Sequence, residues 1–186
     1  MQNKNIRRLV ESALLIAMAT VLSEIKISWL FGGGVTICSM LPLVFLAYRH
    51  GFKWGVFSAL AYSLIQLLLG LDNFAWVPNP TAFKMVLVAL FDYLLAYTAI
   101  GFAGCFRSPK RDERLSLVIG IVVTFSIRFL CHVISGLFLW ADFAWAGIWT
   151  SVSYNGSYML PEIVISSLIA WLSYKPLEKY WLGKDL

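Results

Sequence analysis

Three charged residues lie near the middle of long apolar runs, where charge is costly: Asp92, Arg128 and Glu162. An ionised group at the centre of a bilayer costs on the order of 2.5–3.5 kcal/mol on insertion scales, so such residues face a bundle interior. There they either neutralise one another or meet a ligand. Pairing is the plainer reading for Arg128 and Glu162, since buried charges are paired, with Arg128 meeting either Asp92 or Glu162; an unpaired Arg128 would instead suit an anionic ligand. Asp92 has a second reading because Tyr93 and Tyr97 flank it. A carboxylate beside aromatic faces suits an organic cation, for which a desolvated cation–π contact is worth about 2 kcal/mol. His132 follows Arg128 by four residues, on the same helical face, and about 6 Å further along at ~1.5 Å per residue. Asn155 precedes Glu162 by seven residues and shares nearly the same face.

The elements that must hold these residues follow from charge patterning. Twelve of the fifteen Lys and Arg residues fall in four clusters: Lys4, Arg7 and Arg8; Arg49 and Lys53; Arg107, Lys110, Arg111 and Arg114; Lys175, Lys179 and Lys184. Short loops rich in Lys and Arg stay on the cytoplasmic side, so four clusters imply three outward excursions and six crossings. At about 20 residues per crossing, the expected spans are 9–30, 35–48, 54–71, 82–104, 115–140 and 151–174. The predicted fold is an all-α, polytopic membrane protein: one compact bundle of six transmembrane helices, residues 1–186 as a single domain, both termini cytoplasmic. The second span is short and contains Pro42, which predicts a kinked or partly membrane-deep segment. Outward connections fall at 31–34, 72–81 and 141–150, with Trp76, Trp145 and Trp149 as an interfacial aromatic belt.

Composition excludes several function classes. With 60% hydrophobic residues, 13% charged residues and a mean hydropathy of +0.76, the chain has too little polar surface for a soluble globule, and the bilayer is its solvent. The net charge of +5 comes from residues at segment ends, so it reads as orientation signal and lipid-headgroup anchor, not as a nucleic-acid surface. The basic start runs into a stretch long enough to span, so no cleavable signal peptide is expected. Cys38, Cys105 and Cys131 are odd in number and lack CxxC spacing, which supports neither a disulfide framework nor a zinc site. No phosphate-binding GxxxxGKS/T loop, GxSxG, HExxH or metal-spaced carboxylate cluster occurs. No cofactor or metal is expected, and any ATPase must be another subunit.

Four stretches carry a resemblance to a known family: GGGVTICSMLPLVFLAYRHGFKWG at 32–55, FDYLLAYTAIGFAGCFR at 91–107, RFLCHVISGLFLWADFAWAG at 128–147, and YNGSYMLPE at 154–162. The chain resembles, over nearly its whole length, the substrate-binding S components of energy-coupling factor (ECF) vitamin transporters, in their thiamine-specific branch. The resemblance implies a six-helix subunit of the bacterial cell membrane that captures thiamine from outside and docks on a shared module of one membrane subunit and two ATPases. It also implies that Asp92 before Tyr93, His132 of RFxxH and Asn155 of YNG contribute to the pocket. Trp140, Trp145 and Tyr154 are stacking candidates by neighbourhood. Some members carry Glu at the position of Asp92, whose side chain is one methylene shorter.

Ala13 and Ala17 are spaced four apart on the first helix, which lets a partner helix approach closely; S components are similar in carrying an AxxxA docking surface there. Lys84, near the expected pocket mouth, keeps open an anionic or phosphorylated relative of the vitamin, or another vitamin. The alternative from a different class is a small membrane enzyme with His132 and Asp92 as acid and base.

Overall fold

The computed structural model describes residues 4–28, 34–108, 110–137 and 145–185, with backbone alone at 145 and 146. Helix α1 (Lys4–Glu24) is followed by a two-stranded antiparallel hairpin of β1 (Lys26–Ser28) and β2 (Gly34–Thr36), with Ile27 opposite Val35. Then come α2 (Leu41–His50), α3 (Phe52–Leu69), a 3₁₀ segment over Leu71–Trp76, α4 (Ala82–Phe106), α5 (Glu113–Ser135), α6 (Trp145–Tyr174) and the short α7 (Glu178–Trp181).

Among the described residues, four helices are long and apolar enough to cross a bilayer: Phe52–Leu69, Ala82–Phe106, Glu113–Ser135 and Gly147–Tyr174. Their positions match the last four expected spans closely. The first two expected spans come out differently. Helix α1 ends at Glu24, and Lys26–Ser28 and Gly34–Thr36, at the end of the first expected span and the start of the second, pair as antiparallel strands. The second apolar run becomes the ten-residue α2, about 15 Å long at 1.5 Å per residue, roughly half a bilayer core. Pro42 does not kink a span. It sits in the first turn of α2, where its missing N–H would have had no helical partner.

Helix α2 is apolar because protein surrounds it. Leu43, Val44, Leu46, Ala47 and Tyr48 are fully buried and form the core with Tyr62 of α3, Ile100 and Ala103 of α4, and Leu117, Ile121 and Phe125 of α5. Leu68, Val86, Leu130, Val164 and Leu172 on the outer helices are exposed instead, as expected of a bundle with lipid as its solvent. Two glycines make the α2–α3 junction possible. Gly51 joins the helices at φ 89°, a left-handed value that side chains disfavour. A Cβ at Gly55 would collide with Ala47 and with the Gly101 carbonyl, so Gly55 allows backbone contact between α2, α3 and α4.

Candidate functional site

Helix α4 carries the first functional element in its own winding. It is α-helical to Val88, π-helical over Ala89–Leu95 and 3₁₀ from Ala99. A π turn adds a residue to one turn and re-aims its side chains, and such turns are frequent at functional sites. Asp92 and Tyr93 lie in that turn. The Asp92 carboxylate meets His132 Nδ1 at 3.0 Å and accepts from Ser135 Oγ at 2.6 Å, joining α4 to α5. The Tyr93 hydroxyl accepts from Asn73 Nδ2 at 3.1 Å and donates to the Gly70 carbonyl at 3.2 Å, while its ring stacks on Phe74. Tyr93 thus ties α4 to the connection that follows α3.

The α6 side is built from residues one helical turn apart. Asn155 is buried; its Nδ2 donates to the Ser151 carbonyl at 2.9 Å, and its Oδ1 accepts from Tyr158 at 2.6 Å. Ser151 donates across to the Val133 carbonyl of α5 at 3.1 Å. Helices α5 and α6 approach closely at Gly136, where a Cβ would run into Ser151 Oγ.

These groups enclose a cavity of about 650 Å³, lined by Asn73, Trp76, Asp92, Tyr93, His132, Gly136, Gly147, Thr150, Ser151, Tyr154, Asn155 and Tyr158. Its size falls among small-molecule sites, about 300–1,000 Å³. Asp92 and His132 are nearly buried, with side chains 15% and 12% exposed. His132 Nε2 is buried with no hydrogen-bond partner among the described residues. Among those residues, no group of three or more His, Cys, Asp or Glu side chains could hold a metal.

Among the described residues, the charge balance favours a cation. Arg128 Nη1 meets Glu162 Oε2 at 3.0 Å, so these two charges neutralise each other beside the cavity. Lys84 is not among the lining residues, and its Nζ donates to the Pro78 carbonyl at 3.0 Å. Asp92 supplies the carboxylate in the wall.

A family model described as thiamine transporter protein matches residues 9–181. The chain belongs to the thiamine transporter family. It is 32% identical to the thiamine transporter ThiT of Bacillus subtilis (strain 168), over 93% of this chain and 93% of that one. It is 22% identical to ThiT of Lacticaseibacillus paracasei, over 99% of this chain and 94% of that one. A solved structure of ThiT from Listeria monocytogenes matches with a TM-score of 0.72 at 23% identity, over 96% of this chain and 99% of that one, and shares the fold. A thiamine transporter family member is a multi-pass protein of the bacterial cell membrane with a transport role, and the membrane-enzyme alternative gives way to it.

Of the residues singled out in the sequence, Asp92, Tyr93, His132, Tyr154 and Asn155 line this one cavity. Trp140 lies outside the described residues, as does the side chain of Trp145. Ala13 and Ala17 are exposed on α1. Sequence reasoning missed Asn73, Gly136, Ser151 and Tyr158. Ser151, Asn155 and Tyr158 stand at i, i+4 and i+7, a polar stripe in an apolar helix that helical periodicity can expose.

Proposed function

We propose that this protein is the substrate-capture subunit of an ECF-type importer and binds thiamine from the outside in the cavity between α4, α5 and α6. The supporting observation is the Asp92–His132–Ser135 cluster at a cavity near which the buried Arg128 and Glu162 cancel each other, in a chain of the thiamine transporter family. Thiamine combines a permanent thiazolium charge with an aminopyrimidine that needs directional donors and acceptors. Ionised Asp92 favours the tautomer with the proton on His132 Nδ1, which fixes the carboxylate in the cavity wall as an acceptor for an exocyclic amine or a partner for the thiazolium charge. The aromatic rings of Tyr93, Tyr154 and Tyr158 supply faces for the two heterocycles. Trp140 and Trp145 are assigned to the same pocket on their sequence neighbourhood.

Six crossings with both described ends in the cytoplasm remain the topology of this reading, with the hairpin and α2 together forming the second crossing. The meeting of Arg7, Arg49 and Arg107 with the 180–185 segment supports it, because all four basic clusters then contribute to one end of the bundle. Ala13 and Ala17 are assigned to docking on the ECF membrane subunit, which with two ATPase subunits drives release.

Detergent-purified protein titrated with thiamine, read by quenching of its tryptophans, tests the capture role. Saturable stoichiometric binding without product supports it, and absence of binding overturns it. The Ala13→Trp/Ala17→Trp variant tests the docking assignment: thiamine affinity stays parental while ATP-dependent uptake with an ECF module is lost. Undiminished uptake removes it.

A further inference from the structure

Deeper than the cavity lies a second set of buried polar groups that does not line it. Glu162 is 2% exposed, Ser39 1%, Arg128 7% and Thr36 8%. Both carboxylate oxygens of Glu162 are engaged: Oε1 accepts from Thr36 Oγ1 at 2.7 Å and Ser39 Oγ at 2.9 Å, and Oε2 accepts from Arg128 Nη1. Thr36 ends strand β2 and Ser39 lies in the turn before α2. One carboxylate on α6 therefore joins the hairpin segment to α5.

A buried ion pair is weak evidence of stability, since apolar replacements of similar volume are often as stable. What this pair does geometrically is more specific. The Arg128 guanidinium lies 4.9 Å from the centre of the Tyr97 ring. Tyr97 in turn meets the His132 ring edge-on, at 6.3 Å and 79°. His132 is the residue bonded to Asp92. A continuous set of contacts thus runs from the Thr36 and Ser39 hydroxyls, through Glu162, Arg128 and Tyr97, to the Asp92–His132 pair that lines the cavity.

We propose that Glu162, fixed by Thr36 and Ser39, is a positioning residue for vitamin capture: it sets Arg128 over Tyr97 and thereby holds His132 against Asp92, coupling the hairpin to the binding cavity. This rests on the thiamine-binding reading above and adds residues that touch no ligand. Spatial continuity alone does not establish coupling, so the test separates placement of His132 from folding.

Full-length protein in detergent is titrated with thiamine, and Kd and the number of sites are read separately. Thr36→Val/Ser39→Ala removes both hydroxyls with little change in volume. The expected result is Kd at least fivefold weaker at an unchanged number of sites. Tyr97→Leu, which removes the intervening ring, weakens Kd about tenfold, whereas Tyr97→Phe keeps the ring and stays within twofold of the parent. Parental Kd in the hydroxyl variant, or fewer sites at parental Kd, overturns the proposal, because the first denies coupling and the second reports only loss of folded protein. If the hydroxyl variant does not fold, the Tyr97 pair decides: equal Kd for Leu and Phe overturns it. Absence of thiamine binding by the parent itself fails the capture reading instead.

Discussion

At the end of the bundle where α1 begins and α2 closes, Glu11 accepts from Arg7 and Arg49 and meets His50 Nε2, while Asp185 accepts from the same two arginines. The Arg49 side chain, only 4% exposed, also donates to the Tyr180 carbonyl. At the cavity, Asp92 meets an imidazole and a serine hydroxyl, and the imidazole keeps a buried nitrogen with no partner among the described residues. Both regions set half-buried carboxylates beside nitrogen bases, and the His50 imidazole likewise keeps a buried Nδ1 with no partner among the described residues. In the first, guanidinium forks saturate the carboxylates within the protein, joining α1, α2 and the 180–185 segment. In the second, the carboxylate meets an imidazole and a hydroxyl in the wall of a cavity. A carboxylate locked between two arginines holds helices together; one in a cavity wall stands where a ligand can meet it.

The strongest way to break this comparison is to cut the first region. Arg49→Ala leaves Glu11 and Asp185 with one guanidinium between them, and removing one partner of a buried ion pair costs about 3–5 kcal/mol. Partial exposure of Glu11 and Asp185, at 23% and 16%, places the effect near the lower figure. Thermal unfolding in detergent should show a large loss of stability, while thiamine Kd of the remaining folded protein stays within twofold. A weakened Kd at full stability would erase the distinction between the two regions.

Cutting the second region should give the opposite pattern. Asp92→Asn and His132→Ala each weaken thiamine binding at least tenfold with little change in melting temperature, because a charge-assisted hydrogen bond contributes roughly 1.5–3 kcal/mol. Asp92→Asn binding at parental strength would point to an anionic ligand and make Asp92 a structural group like Glu11.

Much of the site was legible because polarity is conspicuous in an apolar chain. Asp92, His132 and Asn155 are each out of place in a lipid-crossing segment, and all three line the cavity. That Arg128 would be paired was legible for the same reason, but the choice of Glu162 over Asp92 as its partner was settled only by the packing of α5 on α6. The hairpin was not, since its strands are three residues each and lie inside runs that read as membrane spans. Helix α2 misled in another way: a fully buried helix and a lipid-facing one have the same composition, and only length separates them. Ser135 and Ser151 were hidden because serine is ordinary in membrane helices, where it can bond back to its own helix, as Ser63 does to the Leu60 carbonyl. The role of Ser151 depends on the approach of α5 and α6 at Gly136, and that of Ser135 on the approach of α5 to the π turn of α4; both are properties of packing.

A smaller effect sharpens the comparison at the α2–α3 junction beside the ionic cluster. Gly51 adopts φ 89° in open space, so Gly51→Ala meets no neighbour and suffers backbone strain alone. That strain is worth about 1–2 kcal/mol. Melting temperature should fall by a few degrees with thiamine Kd unchanged. No fall in melting temperature would mean that the junction relaxes without strain and that Arg49, two residues earlier, tolerates displacement from Glu11.

The smallest effect concerns pH. The Arg49 guanidinium holds the Asp185 carboxyl well below the usual carboxylate range. A carboxylate whose folded pKa is depressed contributes stability above its unfolded pKa, near 4, and loses it as pH falls toward the folded value. Asp185→Asn abolishes that contribution at every pH, at a cost of about 1 kcal/mol for a partly exposed pair. Parent and variant should therefore differ most in melting temperature at pH 6–8 and converge below the ordinary carboxylate range, as the parent's own Asp185 takes up a proton. Thiamine affinity should be the same in both throughout, since Asp185 binds α1 and α2 at the far end of the bundle from the cavity. A gap that persists unchanged into acid would show that Asp185 acts through neutral hydrogen bonding, and the saturated region would then owe its cohesion to Glu11 and the two arginines.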